Sequence, residues 1–242
     1  MRRILLLALL LAPQVQAAEK FVVGVEDISY LPYYTTDGKE YTGFARELLE
    51  KFAKSAQIEL EFTPLPINNL FGKFLAPSSK LDFKFPDNEY WAQDLKKGIK
   101  VEYSAPVVDY TDGVLVVPAK HGKGKEQIKK LATFRGFTAW DFLDDIKAKK
   151  IEIKENDSMT GLLQQTMKGF VDGAYVNIAV ARYILINNLK KDTELLFDES
   201  LPHTKSSYKL STVKHPEVIK KFNDFLSKNK TEILILKQKW GI

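Results

Sequence analysis

Apolar and polar positions along the chain follow two rhythms. Residues 20–27, KFVVGVED, form a short apolar run typical of a buried strand. Residues 43–57, GFARELLEKFAKSAQ, place Phe44, Leu48, Leu49 and Phe52 on one face at helical spacing. IELEFTPLP then alternates Ile58, Leu60 and Phe62, so strand, helix and strand form the opening unit. Between the first strand and its helix lies ISYLPYYTTDGKEYT, a turn-rich loop carrying Tyr30, Tyr33, Tyr34 and Tyr41.

The same theme recurs downstream. LDFKFPDN reads as a strand stopped by Pro86, and DGVLVVP, residues 112–118, as another. KEQIKKLA, residues 125–132, is expected to be helical, FTAW a strand and WDFLDDIKAKK a helix. IEIKE is a strand, DSMTGLLQQTMKG a helix capped by Asp157 or Ser158, and VDGAYVN a strand. IAVARYILINN is helical and TELLFD a strand, and after SYKLSTVK two helices close the chain, the first with Pro216 in its first turn. Strands alternating with helices throughout predict α/β layers with parallel sheets, whose ligand crevices lie at the carboxyl ends of strands.

The first residues, MRRILLLALLLAPQVQA, combine Arg2 and Arg3, a short apolar run and small residues around Ala17. That is the pattern of a secretory signal peptide, residues 1–17, cut near Ala17 and exported by the Sec route. The apolar run is too short to span a bilayer, and no later stretch reaches the roughly 20 apolar residues a span needs. Cysteine is absent, which excludes a disulfide framework and a lipid-bearing cysteine at the cut. A free periplasmic protein with no membrane anchor is the expectation.

The chain has 242 residues, of which 45% are hydrophobic, enough for two lobes. Its net charge of +5 falls to +3 without Arg2 and Arg3, 34 basic against 31 acidic residues. That is too mild for a nucleic-acid partner. Only Arg46, Arg135 and Arg182 remain beside many lysines, which reads as solvated faces.

Several landmarks fall in one order: the signal-like start, VVGVED…LPYYTTDGKEYTGFARELLEKFAK, VEYSAPVVDYTDGVLVV, GFVDGAYVN ahead of a helix, YKLSTVKHPEV, and helices ending in KQKWGI. In that order the chain resembles the bacterial extracellular solute-binding proteins of family 3, the amino-acid receptors of ABC importers. The resemblance implies an α/β, two-lobed periplasmic-binding-protein fold of type II, each lobe a sheet flanked by helices, with two hinge crossings. On this sequence the crossings fall near 107–112 and 206–210. Lobe one is then residues 18–108 with 208–242, and lobe two is residues 109–207, inserted. It also implies a monomer that captures a small ligand by cleft closure and presents it to an ABC transporter permease, with no enzymatic activity and no cofactor. A dehydratase-like enzyme on the same scaffold and a ligand-sensing adaptor for a membrane receptor are the alternatives.

Two positions depart from the family pattern. The resemblance implies an arginine just before the Phe-Ser pair that clamps the ligand carboxylate; here Tyr103-Ser104 is preceded only by Lys96, Lys97 and Lys100. A lysine is a point charge without the planar fork. It also implies an aspartate for the ligand ammonium at the end of the VDGAYVN strand, where this chain has the neutral Asn177. Replacement contacts are sought near strand ends: Glu26, Tyr30 and Tyr34 from the first strand and its loop, Asp87, Asn88 and Trp91 after the LDFKF strand, and Trp140, Asp141 and Asn177 from the second lobe. Aromatic faces with interspersed carboxylates suit a flat or cationic ligand. Each aromatic has a second reading as hinge or lobe packing, and Asp87 and Asp141 as helix caps. Arg182 is expected to face out from its helix.

Other signals are set aside. KHGKGKEQIKK lacks the spacing of a phosphate loop, and His121, His203 and His215 have no partner at metal-ligand spacing. No metal site is expected, and no nucleophile elbow appears.

Overall fold

A computed structural model of the chain describes residues 18–36 and 40–242; the expected signal segment lies outside the described residues. The opening unit is β1 (Glu19–Glu26), α1 (Phe44–Ala56) and β2 (Ile58–Leu65), followed by α2 (Ile67–Leu75), β3 (Phe83–Asp87), α3 (Gln93–Lys96) and β4 (Glu102–Tyr103). β1 pairs in parallel with β2 from Glu19↔Ile58 to Glu26↔Leu65, and with β3 on its other side. The chain then enters β5 (Val108–Val116), β6 (Lys130–Phe134), α4 (Leu143–Lys147), β7 (Glu152–Asn156), α5 (Met159–Met167), β8 (Gly173–Asn177), α6 (Ile178–Tyr183) and β9 (Leu196–Phe197). It returns through β10 (Thr204–Thr212) to α7 (Pro216–Lys228) and α8 (Lys230–Trp240).

The strand order is β2-β1-β3-β10-β5-β8-β6-β7, with β4 on β10 and β9 on β5. β10 joins two half-sheets: its first residues pair antiparallel with β5 and its last with β3 and β4. β6 lies between β7 and β8, parallel to both. This is the two-lobed α/β architecture expected from the sequence, with β5 and β10 as the strands that run between the halves.

The apolar stripe of α1 is buried as its spacing predicts: Phe44, Leu48, Leu49 and Phe52 are at most 1% exposed. Burying such a side chain is worth about 1.5–3 kcal/mol. Phe52 meets Phe222 of α7 edge-on at 4.9 Å, which fastens the carboxyl-terminal helices to the first half-sheet.

Four local expectations are corrected. Residues 125–132 are not a helix: a single 3-10 turn, Lys125–Gln127, gives way to β6. Leu131 and Ala132 have no exposure because both faces of this central parallel strand are covered, so tertiary burial overrides the polar stretch before it. Residues 137–140 are not a strand but the loop leaving β6, which ends in a 3-10 turn at Trp140–Phe142. Pro86 does not stop its strand. It sits within β3 where pairing to β10 slips, Lys209 facing Asp87 and Ser211 facing Lys84. A residue without an N–H is tolerated at such an irregularity. TELLFD contracts to the two residues of β9.

Candidate ligand cleft

Both half-sheets turn strand ends toward one cavity of about 640 Å³. A crevice at the carboxyl ends of strands is where α/β sheets place ligands. Glu26 ends β1, and the Tyr30–Tyr34 turn follows it; Asn177 ends β8; Gly136 to Trp140 leave β6. Asn68 and Phe71 of α2 form the opposite rim.

The tyrosine turn is held in place by the start of α1. The Phe44 and Ala45 amides donate to the Pro32 and Tyr33 carbonyls at 3.3 and 2.9 Å, satisfying helix donors that otherwise lack a partner. Gly43 makes this approach feasible. Its φ is +107°, and a Cβ there would stand 2.7 Å from the Tyr34 Cα. Tyr34 then donates its hydroxyl to Glu26 Oε2 at 2.5 Å, and its ring stacks on Tyr30 at 5.3 Å.

Of the nine residues singled out by sequence, Glu26, Tyr30, Tyr34, Trp91, Trp140 and Asn177 line the cavity. Asp87, Asn88 and Asp141 do not, because each is engaged inside the protein. Asp87 is fully buried and accepts from Lys96 Nζ at 3.0 Å, Ser211 Oγ at 2.6 Å and the Asn88 amide at 2.7 Å, with Lys84 Nζ at 3.9 Å. Asn88 donates to Ser206 Oγ and the Ser207 carbonyl, tying β3 to β10. Asp141 accepts from Tyr175 at 2.6 Å and Thr204 at 2.9 Å rather than capping a helix. Asn177 lines the cavity and also caps α6, its Oδ1 accepting from the Val180 amide at 3.1 Å.

The lysines before Tyr103 divide. Lys96 turns inward onto Asp87 and the Asn88 carbonyl, and desolvation pushes its pKa down against the pull of Asp87. Lys97 and Lys100 face solvent, as does Arg182. A second lysine, Lys84, is wholly buried beneath the cleft, 4.0 Å from the Phe71 ring centre and bonded to the Pro86 carbonyl.

Asp112 was not anticipated. Sequence reading placed it at the hinge crossing, yet it lines the cavity from β5, directly opposite Asn177 in the β5–β8 register. Its Oδ1 is buried and has no hydrogen-bond partner. Burial pushes its carboxyl up to about 7; the Asn177 amide pulls it partly back, and Asp141 raises it again. The Asn177 Nδ2 hydrogen bond itself goes to the Tyr208 hydroxyl at 3.2 Å. A carboxylate directly before the GVLVV run was the available signal. Glu26 is also raised, by burial first, with Lys84 and the Tyr34 hydroxyl working against it. Phe71 and Tyr208 were missed too, since α2 and the return strand carried no chemical pattern of their own.

No protein-family model matches the chain, and no curated protein does. Solved structures do match in fold. An ancestral arginine-binding protein bound to arginine is 20% identical at a TM-score of 0.71, covering 93% of this chain and 99% of its own. The arginine-, lysine-, histidine-binding protein ArtJ from Geobacillus stearothermophilus is 21% identical at 0.70, covering 92% and 95%. A histidine kinase sensor domain similar to periplasmic binding proteins is 17% identical at 0.72, covering 93% and 96%. The fold is therefore that of the two-lobed periplasmic binding proteins, in agreement with the sequence resemblance. Among the described residues, no helix is long and apolar enough to cross a membrane, and no group of three or more acidic or histidine side chains is placed to hold a metal.

Proposed function

We propose that this chain is a periplasmic solute-binding protein that captures a small polar ligand, amino-acid-like or a related amine or aromatic compound, and delivers it to an ABC importer. The observation that carries the reading is the cavity at the carboxyl ends of the strands, lined from both half-sheets, with β5 and β10 as the strands between them. Lobe one is assigned residues 18–108 with 208–242, and lobe two residues 109–207. Closure of such lobes is driven by the ligand's preference for the closed state. Glu26, Tyr30, Tyr34, Trp91, Trp140 and Asn177 are assigned as ligand contacts, while Asp87, Asn88 and Asp141 hold the walls. The arginine- and amino-acid-binding neighbours favour binding over catalysis, and the signal-like start favours the periplasm.

The test is a thermal-shift panel on residues 18–242 with amino acids, polyamines, aromatic amines, small carboxylates and nucleosides, followed by small-angle scattering with any hit. Ligand at 100 times its dissociation constant adds about 2.7 kcal/mol of stability. One-to-one saturable binding with a smaller radius of gyration supports the reading. Chemical conversion of the ligand replaces it with the enzyme, and the absence of any shift removes it.

A further inference from the structure

We propose that the cleft selects an organic amine that carries no carboxylate, its cationic nitrogen held by the Asp112 carboxylate between the aromatic side chains of Trp91, Phe137 and Trp140. This rests on the small-ligand reading above and supplies the ligand class.

Three observations lead there. First, Asp112 Oδ1 is a buried acceptor without a donor, and among the described residues no lysine, arginine or histidine pairs with Asp112 or with Asp141 beside it. An unmet buried acceptor is costly, and a charged donor is the partner that repairs it best. Asp141 accepts only from neutral hydroxyls, those of Tyr175 and Thr204, so among the described residues no counter-charge stands on this side of the cavity.

Second, among the described residues no unpaired cation lines the cavity to meet a carboxylate. Arg46 is bound by Glu50, and Arg135 by Glu155 and Asp157. Arg182 lines a different groove, which it shares with Lys205 and Trp240. Lys96 and Lys84 are held by Asp87 and by the Asn88 and Pro86 carbonyls. A zwitterionic amino acid would bring its carboxylate into a cavity edged by Glu26 and Asp112, where none of the described residues offers a free cation to meet it. Third, aromatic walls reach the cavity from both sides: Trp140 is 43% exposed, and Trp91 and Phe137 are half-buried. Ring faces attract cations, Trp most strongly.

The groups facing Asp112 are Asp141 and Asn177, with the phenols of Tyr30, Tyr33, Tyr110, Tyr175 and Tyr208. Burial raises every one of those phenols, so they stay neutral through the working range. Burial raises both carboxyls in the lining, Glu26 and Asp112, and of the two Glu26 already accepts from the Tyr34 hydroxyl while Asp112 Oδ1 has no donor. Because the Asp112 carboxyl sits at about 7 in the empty cleft, a cation must displace its proton at lower pH. Affinity for a fixed cation is then level above that value and falls about tenfold for each unit below it.

The test uses pairs that differ only by the carboxylate: agmatine and arginine, tyramine and tyrosine, cadaverine and lysine, histamine and histidine, titrated by calorimetry at pH 8. The expected result is an amine bound at least tenfold more tightly than its amino acid. For an amine other than histamine, affinity should fall about tenfold between pH 8 and pH 6. Asp112→Asn should weaken that amine by about a hundredfold, while Asp112→Glu retains part of it. Tighter binding of the amino acids overturns the inference and leaves the solute-binding reading standing. Unchanged amine affinity in Asp112→Asn overturns it as well. Binding by neither member of any pair overturns it too; the broader reading then stands or falls on the rest of the thermal-shift panel.

Discussion

Two groups of carboxylates stand in and behind the walls of the cleft, and they are built to opposite rules. On the first half-sheet, Asp87 is paired with Lys84 and Lys96, and Asp87 and Lys84 are completely removed from solvent. On the second, Asp112 and Asp141 have hydroxyl and amide neighbours and no cation among the described residues. A buried charge with its counter-charge is a structural element whose loss is expensive. A buried carboxyl without one holds its proton or waits for a cation from outside. The contrast separates what holds the wall from what meets the ligand, a distinction that residue type alone does not make.

The largest effect should come from breaking the matched set. Asp87→Ala strands Lys84 and Lys96 in the interior and removes the acceptor for Ser211 and the Asn88 amide. Removing one partner of a buried pair costs about 3–5 kcal/mol. Urea unfolding at pH 7 should show a loss of that size, and a loss below about 1 kcal/mol would mean that water reaches the network and that the two sets do not differ.

Asp112→Asn should act in the opposite direction on the empty protein. Its folded carboxyl lies at about 7 and its unfolded one near 3.8, so between those values the native chain holds a proton that the unfolded chain has released. Native stability therefore falls as pH rises from about 4 to 7 and is flat above. At pH 8 the ionised group costs up to about 4 kcal/mol, at 1.36 kcal/mol per unit. The amide, which carries no charge, should raise the melting temperature at pH 8 and leave it nearly unchanged at pH 4. An equal shift at both values would assign the effect to packing and place Asp112 with the structural carboxylates.

How far the sequence reached follows the same division. The α1 stripe, the β1–α1–β2 unit and the closing helices were legible because apolar spacing alone specifies them. β6 was not, since KEQIKK reads as a solvated helix until β7 and β8 close over Leu131 and Ala132. Tyr30, Tyr34 and Trp91 could be located near the cleft because loops after parallel strands converge there. Asp87 and Asn177 looked alike in sequence, each a polar residue at a strand end. Only the lysines that fold back from positions 84 and 96 make the first a wall support. Asp112 escaped notice because a strand that crosses between halves reads as a hinge, and its cross-strand neighbour Asn177 is invisible before the register is known.

The smallest effect concerns the rims rather than the charges. Gly136, on the second half, has a φ of +87°, and a Cβ there would stand 2.6 Å from Oδ1 of Asn68 on the first. Gly136→Ala thus carries two penalties with different signatures. Backbone strain at positive φ is local to the loop and lowers stability whether or not ligand is bound. The clash exists only while the two rims meet, so it subtracts from the closed state and appears as weaker binding. Asn68 lies at the surface and can swing aside at a cost of about 0.5–1.5 kcal/mol, which is about twofold to tenfold in affinity. Adding Asn68→Ala should restore the affinity and leave the stability deficit in place. If the pair recovers neither, strain accounts for the whole effect, and the contact between Asn68 and Gly136 is no part of closure.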